Sequence, residues 1–169
     1  MTRNDTEEFA AFVRATGPRL HRAALLLTGD HHLTEDLTQA TYARVYASWR
    51  RVSRADDLYA YTRRTLLNAY LSHRRLRRNT ELPADPTLLP EPSGPQHDRA
   101  TTLDLLDALA TLPPQDRAVL VLRYWEDRSV ADTAHDLGLT ETTVRTRARR
   151  ALQRLRPLVD ADLTERTSS

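Results

Sequence analysis

The sequence of 169 residues contains no cysteine, no lysine and only four glycines. Without cysteine, disulfides and thiolate metal sites are excluded. No apolar run approaches the roughly 20 residues of a membrane-spanning helix, and the first twelve residues lack the apolar segment of a signal peptide. Because runs of alternating β-branched residues are also missing, the sequence predicts an all-α protein. We expect it to be cytoplasmic and not to bind a membrane.

The positive charge is supplied by arginine and is concentrated in two stretches. The 25 arginines are nearly balanced by 23 acidic residues, so the formal net charge is only +2. The arginines cluster at 63–78 and 145–156, whereas acidic residues concentrate near 5–8, 56–57 and 98–136. Local basic patches in a nearly balanced chain indicate a nucleic-acid partner.

The stretch SVADTAHDLGLTETTVRTRARRALQRLR predicts two helices joined by a tight turn. Ser129 is placed to cap the first helix, with Asp132 completing a pair that resembles a capping box. Gly138 supplies the left-handed residue that ends a helix at little cost. Thr140 is placed to cap the second helix.

The second of these helices is strongly sided when each residue is turned by about 100°. We expect the apolar residues on one arc and all the arginines on the opposite arc, which is typical of a DNA-binding helix-turn-helix. Arginine binds both guanine edges and phosphates. A solvated helix face is the alternative, but such faces usually mix both signs of charge. The expected apolar arc holds Val144, Ala148, Ala151, Leu152, Leu155, Leu158 and Val159, and the opposite arc Arg145, Arg147, Arg149, Arg150, Arg154 and Arg156.

The N-terminal domain, residues 1–79, is predicted to contain three helices. Pro18 is expected to bend or divide the first, and Thr34 is the expected cap of the second. A polar loop separates the second helix from the third. The predicted helices span about 5–28, 34–49 and 57–78, and the loop spans 50–57.

Residues 80–97 predict an extended linker, because five prolines and Gly94 forbid a helix. The linker divides the chain into two small helical domains. The C-terminal domain is predicted to span 98–159 and to be followed by a frayed tail, 160–169. Before the helix-turn-helix it should contain two helices, at about 98–111 and 115–126.

One face of the third helix combines Tyr61, Arg64, Asn68 and Arg75. Aromatic rings stack on unstacked bases, asparagine reads base edges, and arginines hold the backbone. In the alternative interpretation, Tyr61 and Leu71 pack against the first helix and the arginines are merely solvated. The residues of this helix alone leave both interpretations open.

The second helix mixes an acid, an amide and large aromatic residues. This composition is compatible with a protein-docking surface, although most of the rings could instead be buried. The residues concerned are Asp36, Leu37, Gln39, Tyr42, Tyr46 and Trp49.

Taken together, the two halves resemble a bacterial sigma factor of the extracytoplasmic-function group, most closely its sigma-E-like actinobacterial members. LTEDLTQATYARVYASW resembles sigma region 2.1–2.2, which in the family binds the clamp helices of core RNA polymerase. AYTRRTLLNAYLSHRRLRR resembles regions 2.3–2.4, which open and read the −10 element. The segment from LATLPPQDR to ALQRLR resembles region 4, which reads the −35 element and touches the polymerase flap. The order of both motifs across a proline-rich linker is more specific than the helix-turn-helix alone.

The resemblance implies roles for individual residues. Asp36, Leu37 and Gln39 match the family's DLxQ signature for core binding, although Ala40 stands where an acid is common. Tyr61 stands where the family has tryptophan or phenylalanine. The implied core-polymerase contacts are Asp36, Leu37, Gln39, Tyr42 and Tyr46; the −10 contacts Arg54, Tyr61, Arg64, Asn68 and Arg75; and the −35 contacts Thr142, Thr143, Arg145, Thr146, Arg147, Arg149 and Arg150.

The implied function is that of an RNA polymerase sigma factor, which directs promoter-specific initiation and has no catalysis, cofactor or metal of its own. Its partners would be core polymerase, promoter DNA and an anti-sigma factor. The alternative is a stand-alone helix-turn-helix regulator, which would bind duplex without polymerase and need neither Tyr61 nor Asn68. An enzyme is disfavoured because the sequence has no H-E-x-x-H spacing, phosphate loop or nucleophile elbow.

Overall fold

The computed structural model describes residues 2–80 and 104–167, with side chains up to residue 158. Throughout these ranges the regular elements are helices, which confirms the predicted all-α class. None of the helices described is long and apolar enough to cross a membrane. The chain divides into two compact units, Met1–Pro90 and Glu91–Ser169. Apart from Thr80, which ends a helix, the predicted linker lies outside the described residues.

The first unit consists of a long helix followed by three more. The predicted loop 50–57 is partly helical, because its first three residues belong to a short helix that ends at Val52. Val52, within that segment, is buried together with Trp49. The helices are α1 (Arg3–Thr28), α2 (His31–Ala47), α3 (Trp49–Val52) and α4 (Leu58–Thr80).

Helix α1 runs unbroken through Pro18, so the expected division of this helix was wrong. Gly17 precedes the proline and has no Cβ to meet the pyrrolidine ring in a helical conformation. The helix starts with a capping box, in which Thr2 Oγ1 accepts from the Asp5 amide and Asp5 accepts from the Thr2 amide at 2.8 Å. The backbone hydrogen bond from Thr2 lowers the pKa of Asp5. Gly29 ends the helix in the left-handed conformation.

Helix α2 begins earlier than predicted. The carboxylate of Asp30 accepts from the Leu33 amide at 2.9 Å and is the N-cap. The predicted cap, Thr34, is instead buried within the helix, and its hydroxyl lies 2.7 Å from that of Thr28. Because α2 starts at His31, the acidic residues Glu35 and Asp36 lie beyond its first turn.

The core of the first unit includes a cluster centred on Val45, Trp49 and Val52, with Phe9 and Phe12 packed against it. The ring of Phe9 lies 5.2 Å from that of Trp49, edge to face, a favourable aromatic geometry. Helices α1, α2 and α4 contact one another and bury further apolar side chains, which include Leu20, Ala24, Leu27, Leu37, Leu66, Leu67 and Tyr70.

The second unit contains helical residues 104–110 (α5), α6 (Pro114–Leu120), α7 (Val130–Leu137) and α8 (Glu141–Thr167). The predicted helix 115–126 changes to a π-helical turn at Val121–Trp125, where the Glu126 amide donates to the Val121 carbonyl at 2.9 Å. The core joins Val119 of α6, Ala134 of α7 and Val144 of α8. The backbone of α8 remains helical to Thr167, where a frayed tail was predicted.

Candidate nucleic-acid interface

The turn between α7 and α8 has the capping geometry that the sequence predicts. Ser129 Oγ accepts from the Asp132 amide at 3.0 Å. Gly138 has φ 64° and ends α7 in the left-handed conformation. Thr140 Oγ1 accepts from the Thr143 amide at 3.2 Å, which starts α8. The Asp132 carboxylate lies 3.8 Å from Arg128.

The outward side of α8 carries most of the predicted −35 residues. Thr142, Arg149 and Arg150 are exposed, and Thr143 and Thr146 are half-buried. Arg145 is also exposed and donates to Glu141 at 3.0 Å. An exposed ion pair of this kind contributes little to stability, so Arg145 can exchange it for another anion. Arg154 and Arg156 extend the exposed basic surface along the helix.

Arg147 does not belong to this surface, so its predicted position on the arginine arc was wrong. Three steps of about 100° from Val144 put it about 60° from the centre of the buried arc. Its Nη1 donates to Asp116 Oδ1 of α6 at 2.7 Å. The two side chains are 33% and 10% exposed. Asp116 had no local signal in the sequence, since its partner lies 31 residues away.

Helix α4 exposes three of the predicted −10 residues. Arg64, Asn68 and Arg75 are exposed and follow one another at intervals of four and seven residues, which is close to whole helical turns. The helix starts at Asp57, whose carboxylate accepts from the Ala60 amide at 2.8 Å. Arg54 is exposed in the turn between α3 and α4.

Tyr61 differs from those three residues, because it is half-buried against the cluster of Val45, Trp49 and Val52. The packing alternative considered for Tyr61 is therefore correct in part, although the cluster includes α2 and α3 besides α1. The rest of the Tyr61 side chain is accessible to solvent on the surface of α4.

Sequence reasoning missed an arginine–aromatic arrangement at the start of α4. The guanidinium carbon of Arg19 lies 4.3 Å from the ring centroid of Tyr59, and that of Arg63 lies at 5.6 Å. Arg63 is buried, although it belongs to the predicted basic run. The sequence signal for this contact was the spacing of four residues between Tyr59 and Arg63, which places the two side chains side by side on a helix.

The predicted polymerase-docking residues of α2 separate into a surface and a core. Asp36 and Gln39 are exposed. Leu37 and Tyr42 are buried, and the Tyr42 hydroxyl lies 2.9 Å from that of Thr16. Burial raises the pKa of Tyr42. Tyr46 is half-buried, with its ring 4.8 Å from that of Phe9. Of the predicted docking residues on α2, Asp36, Gln39 and part of Tyr46 are therefore accessible to a partner.

Both halves of the chain match protein families. Residues 12–80 match the family described as Sigma-70 region 2, and residues 102–155 match Sigma-70, region 4. The RNA polymerase sigma-E factor of Streptomyces coelicolor is 37% identical over 163 residues, which cover 94% of this chain and 90% of that protein. The ECF RNA polymerase sigma factor SigL of Mycobacterium tuberculosis is 36% identical, with 81% and 80% covered.

A similar structure has also been solved. It is that of the sigma factor RpoE from Bartonella quintana, in complex with the anti-sigma factor NepR. The TM-score is 0.75 and the sequence identity 25%, and the match covers 92% of this chain and 99% of that one.

Proposed function

The chain belongs to the sigma-70 family of RNA polymerase sigma factors, within its extracytoplasmic-function group, and on this premise we propose how its surfaces divide the work of promoter recognition. The proposal is carried by one observation: a helix-turn-helix with exposed arginines and a separate unit with exposed Arg64, Asn68 and Arg75 occur in the same chain. A stand-alone regulator needs only the first of these surfaces, so their combination favours the sigma factor.

The second unit binds closed duplex at the −35 element. The first turns of α8 enter the major groove, as in other helix-turn-helix proteins. Thr142, Arg145 and Arg149 face base edges, and Arg150 and the arginines further along α8 neutralise phosphates. Buried Val144 and Ala134 fix α8 against α7, so the arginines are held on a rigid scaffold.

The first unit binds unpaired bases of the −10 element along α4. Asn68 offers both a donor and an acceptor to a base edge, and Arg64 and Arg75 hold the backbone on either side. Tyr61 presents its accessible edge to a base while the remainder of the ring is anchored in the core. Taking a base out of the stack costs a few kcal/mol, and stacking on an aromatic ring returns about 1–3 kcal/mol.

Core RNA polymerase binds the surface of α2. Asp36 and Gln39 supply polar contacts, and Tyr46 supplies a partly accessible ring. Leu37 and Tyr42 support this surface from within the core rather than by contact. Polymerase supplies the chemistry of RNA synthesis, so the chain needs no catalytic group. It acts in the cytoplasm, and an anti-sigma factor is its further partner, as for the Bartonella relative.

Transcription with purified core polymerase tests this function. The full chain should start RNA synthesis from a subset of promoters in a genomic library. Asp36→Ala should reduce capture of core polymerase about tenfold or more, the effect of losing roughly 1.4 kcal/mol, because it removes an exposed carboxylate from the docking surface. Run-off RNA should fall in parallel.

Glu7→Ala is the matched control, because Glu7 is an exposed carboxylate of α1 paired only with exposed Arg3. It should capture polymerase like the unmodified chain. If the unmodified chain binds specific duplex but never polymerase, the stand-alone regulator is the correct function. If Asp36→Ala and Glu7→Ala behave alike, the α2 surface is not the docking site.

A further inference from the structure

The arginines of helix α8 differ in how they are paired and buried. Arg145 pairs with Glu141 of its own helix, and the two side chains are 62% and 50% exposed. Arg147 pairs across to Asp116 of α6 at 2.7 Å, with side chains 33% and 10% exposed. The second pair is shorter and more buried, so solvent and salt screen it less. Its charges therefore remain coupled under conditions that separate Arg145 from Glu141.

The Asp116 carboxylate offers Arg147 the same chemistry as a DNA phosphate. Both are anionic oxygen acceptors that bind guanidinium through charge-assisted hydrogen bonds. Arg147 lies about 60° around α8 from Arg150, which is assigned to a phosphate, and a third of its side chain is accessible. Asp116 and a phosphate therefore compete for one guanidinium. The buried nitrogen Nε of Arg147 has no acceptor among the described residues, and the anion that Arg147 contacts through Nη1 is Asp116.

We propose that Asp116 is a positioning residue that holds Arg147 away from the duplex and thereby limits sequence-independent binding of DNA. The inference rests on the proposed role of α8 at the −35 element. Phosphate contacts raise the affinity for every sequence equally, whereas base contacts discriminate. Withdrawing one arginine from the phosphates lowers the affinity for unrelated DNA without touching the residues at base edges. Because the same contact is withheld from every duplex, the ratio of the two affinities stays the same, while less protein is held on unrelated DNA.

The test measures the salt dependence of duplex binding by the holoenzyme, using a promoter from the transcription assay and an unrelated duplex of equal length. Asp116→Asn keeps the side-chain shape but removes its charge, so Arg147 is released. The slope of log affinity against log salt should steepen by about 0.9 on both duplexes, the value for one added phosphate contact. Affinity should then fall roughly threefold more than for the unmodified protein between 50 and 200 mM salt. At low salt both affinities should rise by the same factor, because a phosphate contact adds the same free energy on either duplex.

Companion variants separate this role from a purely structural one. Arg147→Ala should leave the slope unchanged, and Asp116→Asn combined with Arg147→Ala should return it to the original value. A structural link between α6 and α8 would change thermal stability but would not steepen the slope. If Asp116→Asn does not fold, Arg147→Ala decides alone, because a slope shallower by about 0.9 would mean that Arg147 already contacts phosphate.

Arg150→Ala distinguishes failure of this inference from failure of the proposed interface. Arg150 is exposed on the same helix and is assigned to a phosphate, so its loss should make the slope shallower by about 0.9. If it does so while Asp116→Asn leaves the slope unchanged, only the inference is overturned. If Arg150→Ala has no effect either, α8 does not contact the phosphates, and the interface and the inference are overturned together.

Discussion

At the scale of single residues, similar side chains acquire different properties from their surroundings. Arg63 and Arg64 are neighbours in the same basic run, yet Arg63 is buried and Arg64 is exposed. Burial of an arginine needs compensation, and Arg63 lies beside the electron-rich face of Tyr59. The number of arginines in a stretch therefore overstates the charge available to DNA.

His73 gives α4 a pH-dependent contribution to stability. Burial lowers the pKa of its imidazole, and the charges of Arg77 and Arg74 lower it further. The unfolded chain, with a histidine pKa of about 6.5, therefore takes up this proton before the folded chain does. The contribution of His73 to the free energy of unfolding should be fully present above pH of about 6.5 and should be lost as the pH drops through the lowered pKa. Urea unfolding at pH 7.5 and 5.5 should show the loss.

His73→Gln isolates this contribution from those of the other histidines, because glutamine does not titrate. The variant should lose less stability than the unmodified chain over the same pH interval. An equal loss in both proteins would show that His73 has the same proton affinity folded and unfolded.

At the scale of elements, Gly138 determines where α7 ends. Its φ is 64°, and a Cβ placed there would meet no atom within 4 Å. Replacement by alanine should therefore strain the backbone, which keeps a positive φ, without causing a clash with neighbouring atoms. We expect Gly138→Ala to reduce the free energy of unfolding by about 1–2 kcal/mol, the cost of a left-handed conformation for an L-residue. Urea unfolding of the full chain measures this loss.

Gly138→Asn tests the cause, because asparagine tolerates the left-handed conformation better than alanine. Its loss should be smaller than that of Gly138→Ala, although its side chain is larger. The opposite order would indicate crowding around the turn instead of backbone strain.

The elements that could be predicted are those specified by neighbouring residues. Ser129, Gly138 and Thr140 were identified correctly, because a hydroxyl cap or a left-handed glycine acts within three residues of its position. The start of α2 was misplaced because Asp30 and Thr34 are both competent caps, and burial of Thr34 decides between them. The π-helical turn at Val121–Trp125 had no recognisable local signal.

The site residues divide in the same way into those that neighbouring residues specify and those that contacts between distant residues specify. The exposed face of α4 was available from periodicity alone, since Arg64 and Asn68 lie one turn apart. The Asp116–Arg147 pair was not, because the packing of α6 against α8 brings the two residues together. The burial of Leu37 and Tyr42 likewise depends on which face of α2 meets α1 and α4.

At the scale of the whole molecule, the proposed function assigns separable steps of one process to the two units. The unit with α8 carries the exposed arginines suited to closed duplex, and the unit with α4 carries the amide and arginines suited to unpaired bases. Duplex binding precedes strand opening, so a defect in each unit should appear at a different step. This separation can be measured in the holoenzyme on a single promoter.

Asn68→Ala should leave the affinity for closed promoter duplex nearly unchanged and reduce the fraction of opened promoter. The loss of a base-edge hydrogen bond, about 1 kcal/mol, corresponds to a roughly fivefold smaller opened fraction. Permanganate reactivity of unpaired thymines measures opening, and a filter-binding assay at low temperature measures closed-complex affinity. Arg149→Ala should show the reverse pattern, with weaker closed binding at a given salt concentration and normal opening once DNA is saturating.

Asn79→Ala is the matched control for the first unit, because Asn79 is an exposed asparagine near the end of the same helix. It should open the promoter normally. A template with an unpaired −10 segment adds a second comparison: it removes the cost of unstacking but keeps the base contact, so Asn68→Ala should still bind it more weakly than Asn79→Ala. Equal binding by these two variants, or a defect in closed binding for Asn68→Ala, would contradict the assignment of base capture to α4.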